Sequence, residues 1–141
     1  FGAKENMGTD YNEVRDSALE AFISYTRAFQ TLDPHAVVPH FHEPVFQITP
    51  DGARLLPDAG AVEQAYQHVM ADLKAQGYVR TDLSELEARY LSNDLVQING
   101  AGEWKTASNE TLTRFGMTYT LRRNNSVWRI IVGIIHDPAP A

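Results

Sequence analysis

The chain has 141 residues, of which 43% are hydrophobic and 21% are charged, with no cysteine and a formal net charge of −6. This composition is typical of a single globular domain, and without cysteine the chain cannot form disulfides, thiolate zinc sites, iron–sulfur clusters or a cysteine nucleophile. The acidic balance argues against general nucleic-acid binding, and the longest apolar run, residues 130–135, is far shorter than the ~20 residues of a membrane helix. We therefore expect a soluble, cytoplasmic protein with no nucleic-acid or membrane partner.

The chain divides into three predicted parts. Residues 1–10 form an N-terminal tail or a cloning remnant, because they lack the apolar core of a signal peptide and Met7 offers a native start. Residues 11–137 form the single domain, and residues 138–141 form a C-terminal tail.

Two predicted helices precede any strand. Residues 11–32 have apolar side chains three and four positions apart, which is the spacing of one face of an amphipathic helix. Thr9 or Asp10 can cap the start of this helix. Asp33 and Pro34 then predict a cap and a first helical position, which open a second, short helix.

A hairpin and a third helix follow. Residues 45–48 favour a β-strand, and Pro50-Asp51-Gly52 is a typical turn sequence, so residues 53–56 are expected to return as the second strand. Asp58 predicts the cap of a third helix, and Gly77 predicts its C-terminal end.

After Gly77 the apolar residues alternate with polar ones, which predicts an antiparallel meander with a hairpin turn at Asn124-Asn125. The last strand, residues 128–136, is apolar on both faces, because Ile131 and Ile135 alternate with Trp128, Ile130, Val132 and Ile134. The helices can cover only one of these faces. We therefore predict that a second copy covers the other face, in a homodimer formed through the sheet.

This order of helices, hairpin and meander, which ends in Asn-Asn-x-x-Trp-Arg-Ile over residues 124–130, resembles the nuclear-transport-factor-like superfamily. The superfamily includes SnoaL-like polyketide cyclases, ketosteroid isomerases and scytalone dehydratase. The resemblance implies an α+β, cystatin-like cone, in which a curved antiparallel sheet of about six strands wraps around a long N-terminal helix, with two further helices. It also implies a deep apolar pocket and dimers formed through the sheet.

The isomerases of this superfamily imply three site positions. Their tyrosine on the first helix stands eight residues before the acid that opens the second helix, and Tyr25 stands eight residues before Asp33. Their carboxylate base corresponds to Thr49, and their second donor falls near residues 118–120, where this chain has no acid. The resemblance therefore does not extend to steroid-type isomerisation, and Asp51 is the nearest carboxylate that could replace the base.

Three residues are candidates for catalysis. Tyr25 is the predicted hydrogen-bond donor, and the predicted base is His136 or Asp51. His136 falls on the same alternating face as Trp128 and Ile134, which would turn its ring toward the pocket or its rim if that face lines the cone. The alternative is a strand-end histidine that forms a hydrogen bond beside Asp137.

Two further histidines have the spacing of metal ligands. His40 and His42 would share one face of an extended segment. No third ligand follows at a fixed spacing, so we predict a packing or surface role for both, and we expect neither a metal nor another cofactor.

Aromatic side chains supply the predicted ligand contacts. Most of them belong to the core, but tyrosine hydroxyls and an indole N–H beside a pocket suit a small, flat, hydrophobic molecule. The predicted ligand-binding residues are Tyr25, Phe29, Tyr66, Tyr90, Trp104 and Tyr119. Two functions stay open: a cofactor-independent isomerase, cyclase or dehydratase, and a non-catalytic ligand-binding or dimerisation module, which the missing carboxylates favour.

Overall fold

The structure is a computed structural model that describes residues 10–138. The predicted start at Met7 and nearly all of both predicted tails lie outside the described residues. Within them the elements, in chain order, are α1 (Tyr11–Gln30), α2 (Pro34–Val37), a 3₁₀ turn (Val38–His40), β1 (Phe41–Thr49), β2 (Gly52–Leu56), α3 (Ala59–Gln76), β3 (Tyr78–Ser92), β4 (Leu95–Thr106), β5 (Thr111–Asn124) and β6 (Val127–His136). The predicted α+β class is confirmed.

The ends of the helices lie where the capping residues predict them. The carboxylates of Asp10, Asp33 and Asp58 each accept a backbone N–H of the first helical turn, at 2.9–3.1 Å. Gly77 ends α3 in the left-handed conformation, with φ of 87°, which a residue without a side chain adopts at little cost. None of the helices between residues 10 and 138 has both the length and the apolarity needed to cross a membrane, and the cytoplasmic location stays a prediction.

The six strands of the described chain form one sheet in the order β2-β1-β6-β5-β4-β3. Four of the five pairings are antiparallel, but β1 runs parallel to β6. The prediction of a wholly antiparallel sheet is therefore wrong at this one pairing. Strands β1 and β6 are far apart in the sequence, so no hairpin turn constrains their relative direction.

The core lies between α1 and one face of the sheet, which we call the inner face. Helix α1 packs against β3, β4 and β6, and it buries an apolar stripe that includes Phe22 and Tyr25. On β5 and β6 the inward-facing Leu121 and Ile130 are each 1% exposed. The opposite, outer face of the sheet has no helix of the described chain packed on it, and this face includes Thr118 and Thr120.

A bulge in β6 divides the strand into two registers. Leu121 pairs with Ile130 and Thr120 pairs with Val132, so Ile131 is an extra residue without a partner on β5. Beyond the bulge, Gly133 and Ile135 lie opposite the inward-facing Tyr119 and Met117. The even alternation predicted from Trp128 to His136 is therefore wrong, and Val132, Ile134 and His136 lie on the outer face.

Candidate functional site

A cavity of about 380 Å³ lies between α1, α3 and the inner face of the sheet. Its buried walls are mainly aromatic and aliphatic, whereas its exposed lining residues come from the β1–β2 hairpin and the second half of α3. The mouth therefore lies between these two segments. The lining residues that matter for the chemistry are Tyr25, Phe29, Gln47, Asp51, Arg54, Tyr66, Asp72, Trp104 and Tyr119.

The cavity brings together most of the residues that the sequence predicts for a site. Tyr25 and Phe29 reach it from α1, and Tyr66 reaches it from α3. Trp104 and Tyr119 reach it from β4 and β5. The predicted base Asp51 also lines the cavity, from the exposed turn at its mouth.

Two buried tyrosines of the cavity wall are hydrogen-bonded to each other through their hydroxyls. The hydroxyl oxygens of Tyr25 and Tyr66 lie 3.0 Å apart. Gln47 donates its side-chain N–H to the Tyr66 oxygen at 3.2 Å, and Arg54 donates to the Gln47 carbonyl oxygen at 3.3 Å. A continuous row of hydrogen bonds therefore connects the solvent-exposed Arg54 to the buried Tyr25.

The cavity tyrosines are neutral at physiological pH. Burial raises the pKa of Tyr25 well above its ordinary value, and the neighbouring Tyr119 and Tyr66 raise this pKa further. Burial also raises the pKa of Tyr66 and of Tyr119. The nearby Arg54 opposes the shift at Tyr66, since its charge favours the phenolate. These hydroxyls therefore act as hydrogen-bond donors and acceptors, not as bases.

Tyr90 does not line the cavity, contrary to its prediction as a ligand contact. Its ring packs edge to face on Tyr11 at 4.6 Å between centroids, and its hydroxyl donates to Asn93 at 2.5 Å. Strand β3 is long, and its cavity-lining residues Thr81 and Leu83 lie near its start. Tyr90 is on the inner face as predicted by alternation, but it lies at the far end of the strand.

His136 also lies outside the cavity, because the bulge at Ile131 turns it to the outer face. Its Nδ1 donates to the carbonyl oxygen of Asp137 at 2.8 Å, and its Nε2 lies 3.3 Å from the hydroxyl of Thr118. The expectation that His136 projects into the pocket is therefore wrong. The strand-end alternative matches its position, and Asp51 is the one predicted base that lines the cavity.

The two histidines with metal-like spacing have separate surroundings. His40 is half-buried near Tyr25, with ring centroids 6.1 Å apart, and burial lowers its pKa. His42 donates from Nδ1 to the carbonyl oxygen of Pro44, and its Nε2 accepts from Arg122, both at 2.9 Å. Among residues 10–138 no three His, Asp or Glu side chains are grouped closely enough to hold a metal ion.

The sequence prediction missed Gln47 and Arg54. A usable signal is present, because the predicted strands at residues 45–48 and 53–56 place Gln47 directly opposite Arg54 in the hairpin, as the observed register has it. Directly opposed residues in an antiparallel pair point to the same face. A polar residue and a cation at such positions therefore indicate a pair beside the pocket mouth.

Solved structures share this arrangement of helices and sheet, and three illustrate it. An NTF2-like protein of unknown function from Pseudomonas putida KT2440 has a TM-score of 0.74 and 13% identity, over 92% of this chain and 89% of that one. A protein of unknown function with a cystatin-like fold from Nostoc punctiforme PCC 73102 has a TM-score of 0.73 and 15% identity, over 93% and 95%. An NTF2-like protein of unknown function from Shewanella oneidensis MR-1 has a TM-score of 0.69 and 18% identity, over 86% and 98%.

At these identities the likeness concerns the fold alone, and it defines the class as NTF2-like with a cystatin-like fold. A family profile described as NTF2-like protein (DUF6841) matches residues 13–138, and the chain belongs to this family. The superfamily resemblance predicted from the sequence is confirmed. Comparison with curated proteins finds no match.

Proposed function

We propose that this protein binds a small, flat, largely apolar molecule in the cavity and hydrogen-bonds one polar group of that molecule at the Tyr25–Tyr66 end. One observation carries the proposal: a buried, hydrogen-bonded pair of tyrosine hydroxyls lines a cavity whose buried walls are mainly aromatic and aliphatic. Buried hydroxyls are normally satisfied by the protein itself, so a pair that borders open space is suited to a ligand.

The size and shape of the cavity support a ligand of modest size. Its volume of about 380 Å³ lies within the range of ~300–1,000 Å³ that is usual for small-molecule sites. Phe29 and Trp104 are stacked, with centroids 5.9 Å apart and planes 16° apart, while Phe115 lies 5.2 Å from Trp104. Aromatic walls of this kind favour a planar, apolar ligand.

The charges of the site are confined to its mouth. Asp51, Arg54 and Asp72 line the cavity and are solvent-exposed, whereas the cavity tyrosines are buried and neutral. A charged group on the ligand would therefore stay near the mouth, where water solvates it, because moving an unpaired charge into the apolar interior is costly.

A catalytic role is the second candidate, because Asp51 and Tyr25 line one cavity. A cofactor-independent isomerase, cyclase or dehydratase would use Asp51 as the base and Tyr25 as the donor to the developing negative charge. Asp51 lies in an exposed turn at the mouth of the cavity, where water competes with a ligand for hydrogen bonds to its carboxylate. Binding without catalysis is therefore the function that we favour.

A screen of aromatic fragments by ligand-observed NMR tests the proposal. We expect fragments with one polar group to bind, and Tyr25→Phe to weaken them about 2- to 10-fold, as expected for one hydrogen bond. Tyr90→Phe is the matched control and should leave their affinity unchanged. Equal affinities for the two variants would contradict the site, and product formation that Asp51→Asn abolishes would favour catalysis instead.

We also propose that two copies associate through the outer face of the sheet. Phe46 pairs with Val132 in the β1–β6 register, and Ile134 lies two residues beyond. Phe46 is 39% exposed, and the two β6 side chains are partly exposed. An apolar row of this kind on an uncovered face is typical of a homodimer interface.

A further inference from the structure

We propose that the outer face of the sheet carries a second binding site, in which Arg122 and Arg129 together hold the phosphoryl group of a small, soluble molecule. The two residues lie where the β5–β6 hairpin turns, and neither lines the cavity. The inference goes beyond the proposed function, because it does not depend on the ligand of the cavity. It rests on which arginines of this hairpin have a carboxylate partner.

Arg122 and Arg129 point to the same side of the sheet, because the register of the hairpin places them directly opposite each other. Their neighbours Leu121 and Ile130 also form a pair, and these point inward and are buried. Alternation along the strands then puts both arginines on the outer face. Side chains opposed in this way begin about 4.5–5.5 Å apart at Cβ, so both guanidinium groups can reach one small anion.

Strands β5 and β6 contain four arginines, and they differ in their partners. Arg114 and Arg123 each have a carboxylate oxygen 3.3 Å from Nε. Arg122 and Arg129 have no carboxylate within 4.0 Å among residues 10–138. The two arginines that the described chain does not neutralise are therefore the two that lie opposite each other.

Arg122 has a hydrogen-bond partner on β1, but this partner brings no negative charge. The Nε2 atom of His42 accepts from Arg122 Nη1 at 2.9 Å, while its Nδ1 donates to the carbonyl oxygen of Pro44 at the same distance. A guanidinium group has five N–H donors. Arg122 therefore keeps both its full charge and further donors for an anion.

The opposed arginines are suited to a group with two negative charges. Like charges directly opposite each other destabilise a sheet, and both arginines are half-buried, so water screens their repulsion less than at a fully exposed site. A phosphoryl group carries close to two negative charges near neutral pH. Its oxygens also match the planar, forked donors of arginine.

The surroundings of Arg122 and Arg129 favour a small molecule over a lipid surface. Anionic lipid surfaces are typically bound by clusters of about 4–8 Lys or Arg residues, whereas this site has two and the chain has a formal net charge of −6. The site also differs from the proposed dimer interface. Arg129 precedes Val132 of the apolar row by three residues, or roughly 10 Å along an extended strand.

A titration with inorganic phosphate, followed by NMR, tests the inference. At about pH 7 and constant ionic strength we expect the backbone amide signals of Arg122 and Arg129 to shift and reach saturation. Sulfate, a dianion of the same shape, should compete with phosphate. Chloride at the same ionic strength should not, because it presents one charge and no array of oxygens.

Arg129→Gln removes one of the two charges, and we expect it to weaken phosphate binding about 10-fold. Arg114→Gln is the matched control. Arg114 lies on the same strand as Arg122 and, eight residues away, on the same face, but Glu103 already neutralises it. The control changes the net charge by the same amount and should leave the phosphate affinity unchanged.

The outcomes decide the inference without reference to the cavity. Weaker binding in Arg129→Gln but not in Arg114→Gln supports it. A wild-type protein that does not saturate with phosphate overturns it, and so does an equal weakening in both variants, which would reflect net charge alone. Should circular dichroism show that Arg129→Gln is unfolded, Arg122→Gln replaces it and must weaken binding to the same extent.

Vesicles of phosphatidylcholine and phosphatidic acid distinguish the two sources of a phosphoryl group. We expect the wild-type protein to stay in solution when these vesicles are sedimented. Sedimentation with the vesicles that Arg129→Gln abolishes would assign the arginine pair to a lipid headgroup and overturn the proposal of a soluble ligand. Binding of aromatic fragments in the cavity is measured separately, so its failure and the failure of this site are distinguishable.

Discussion

The hydroxyls of Tyr25 and Tyr66 meet at 3.0 Å, although the two residues are 41 positions apart in the sequence. One comes from α1 and the other from α3, so their contact depends on how both helices pack against the sheet. Burial keeps both hydroxyls neutral, and hydrogen bonding between them compensates for the loss of water. This pair therefore contributes to the stability of the fold as well as to the chemistry of the cavity.

Tyr66→Phe tests the contribution of the pair to stability. The change removes the Tyr66 oxygen as a partner of the Tyr25 hydroxyl and of the Gln47 amide N–H, and an unsatisfied buried polar group costs about 1–3 kcal/mol. We expect the free energy of unfolding, measured with urea, to fall by about this amount. Tyr90→Phe removes a hydroxyl whose partner Asn93 is exposed, and it serves as the control. A smaller loss in Tyr66→Phe than in the control would mean that the pair does not stabilise the fold.

Alkaline pH tests the burial of the three cavity tyrosines. Burial raises the pKa of Tyr25, Tyr66 and Tyr119 above the value of 10.0 that the unfolded chain has. Below pH 10 both states are protonated and stability does not depend on these groups. Above it the unfolded state loses protons that the folded state retains, so stability falls as pH rises, by ~1.4 kcal/mol per pH unit for each tyrosine. We would measure urea unfolding from about pH 9 to about pH 11, a range that brackets the ordinary tyrosine pKa. The unfolding free energy should fall more steeply with pH for the wild type than for Tyr119→Phe. Equal slopes would show that Tyr119 titrates normally.

Much of the fold could be predicted because its signals are local. Asp10, Asp33 and Asp58 cap helices through residues only two or three positions away, and Gly77 ends α3 through its own backbone. Such contacts are encoded within one turn of chain. The parallel pairing of β1 with β6 has no such local signal, since it joins segments that are far apart in the sequence.

The site could be predicted only as far as the alternation of each strand is regular. Tyr119 lies in the regular part of β5, where residues 113–122 pair one to one with β4, so it shares the inner face with Phe115 and Met117. His136 lies beyond the bulge at Ile131, and a β-branched isoleucine within an apolar run gives no sign of an extra residue. Regular alternation continued across Ile131 therefore assigns His136 to the wrong face of the sheet.

Gly133→Ala tests the packing of Tyr119 against the cavity wall. Gly133 pairs with Tyr119, and a Cβ at this position would lie 3.2 Å from the tyrosine ring. The ring must therefore shift toward the cavity by a few tenths of an ångström, which we expect to weaken ligand binding. The tight contact with the ring destabilises the folded state, whereas the lower entropy of the unfolded chain favours folding. These effects oppose each other, so the change in unfolding free energy should stay within about 1 kcal/mol.

Gly60→Ala is the control for that variant, because a Cβ there meets only the Asp58 side chain, at 3.5 Å. It restricts the unfolded chain in the same way without touching the cavity. Titration with an aromatic fragment that binds the wild-type protein should give a weaker affinity for Gly133→Ala and an unchanged affinity for Gly60→Ala. An unchanged affinity for both variants would mean that Tyr119 does not shape the ligand site.

Ile134→Asp tests the proposed homodimer. The bulge places Ile134 on the outer face of the sheet, so a carboxylate there would be buried without a partner if a second copy covers this face, at a cost that unpaired buried charges make large. We expect sedimentation velocity to give a dimer for the wild type and a monomer for this variant. Val79→Asp is the matched control, because Val79 is a branched apolar residue that is 44% exposed on the edge strand β3.

The two variants together decide whether the interface lies on the outer face. A dimer in Val79→Asp and a folded monomer in Ile134→Asp, with circular dichroism like that of the wild type, would place the interface there. A dimer that persists in Ile134→Asp would contradict the interface, since a symmetric contact repeats each substitution on both sides of the axis and doubles its effect. A molecule other than a second copy would then be expected to pack on the apolar row of Phe46, Val132 and Ile134, because a contiguous exposed patch of this kind favours association.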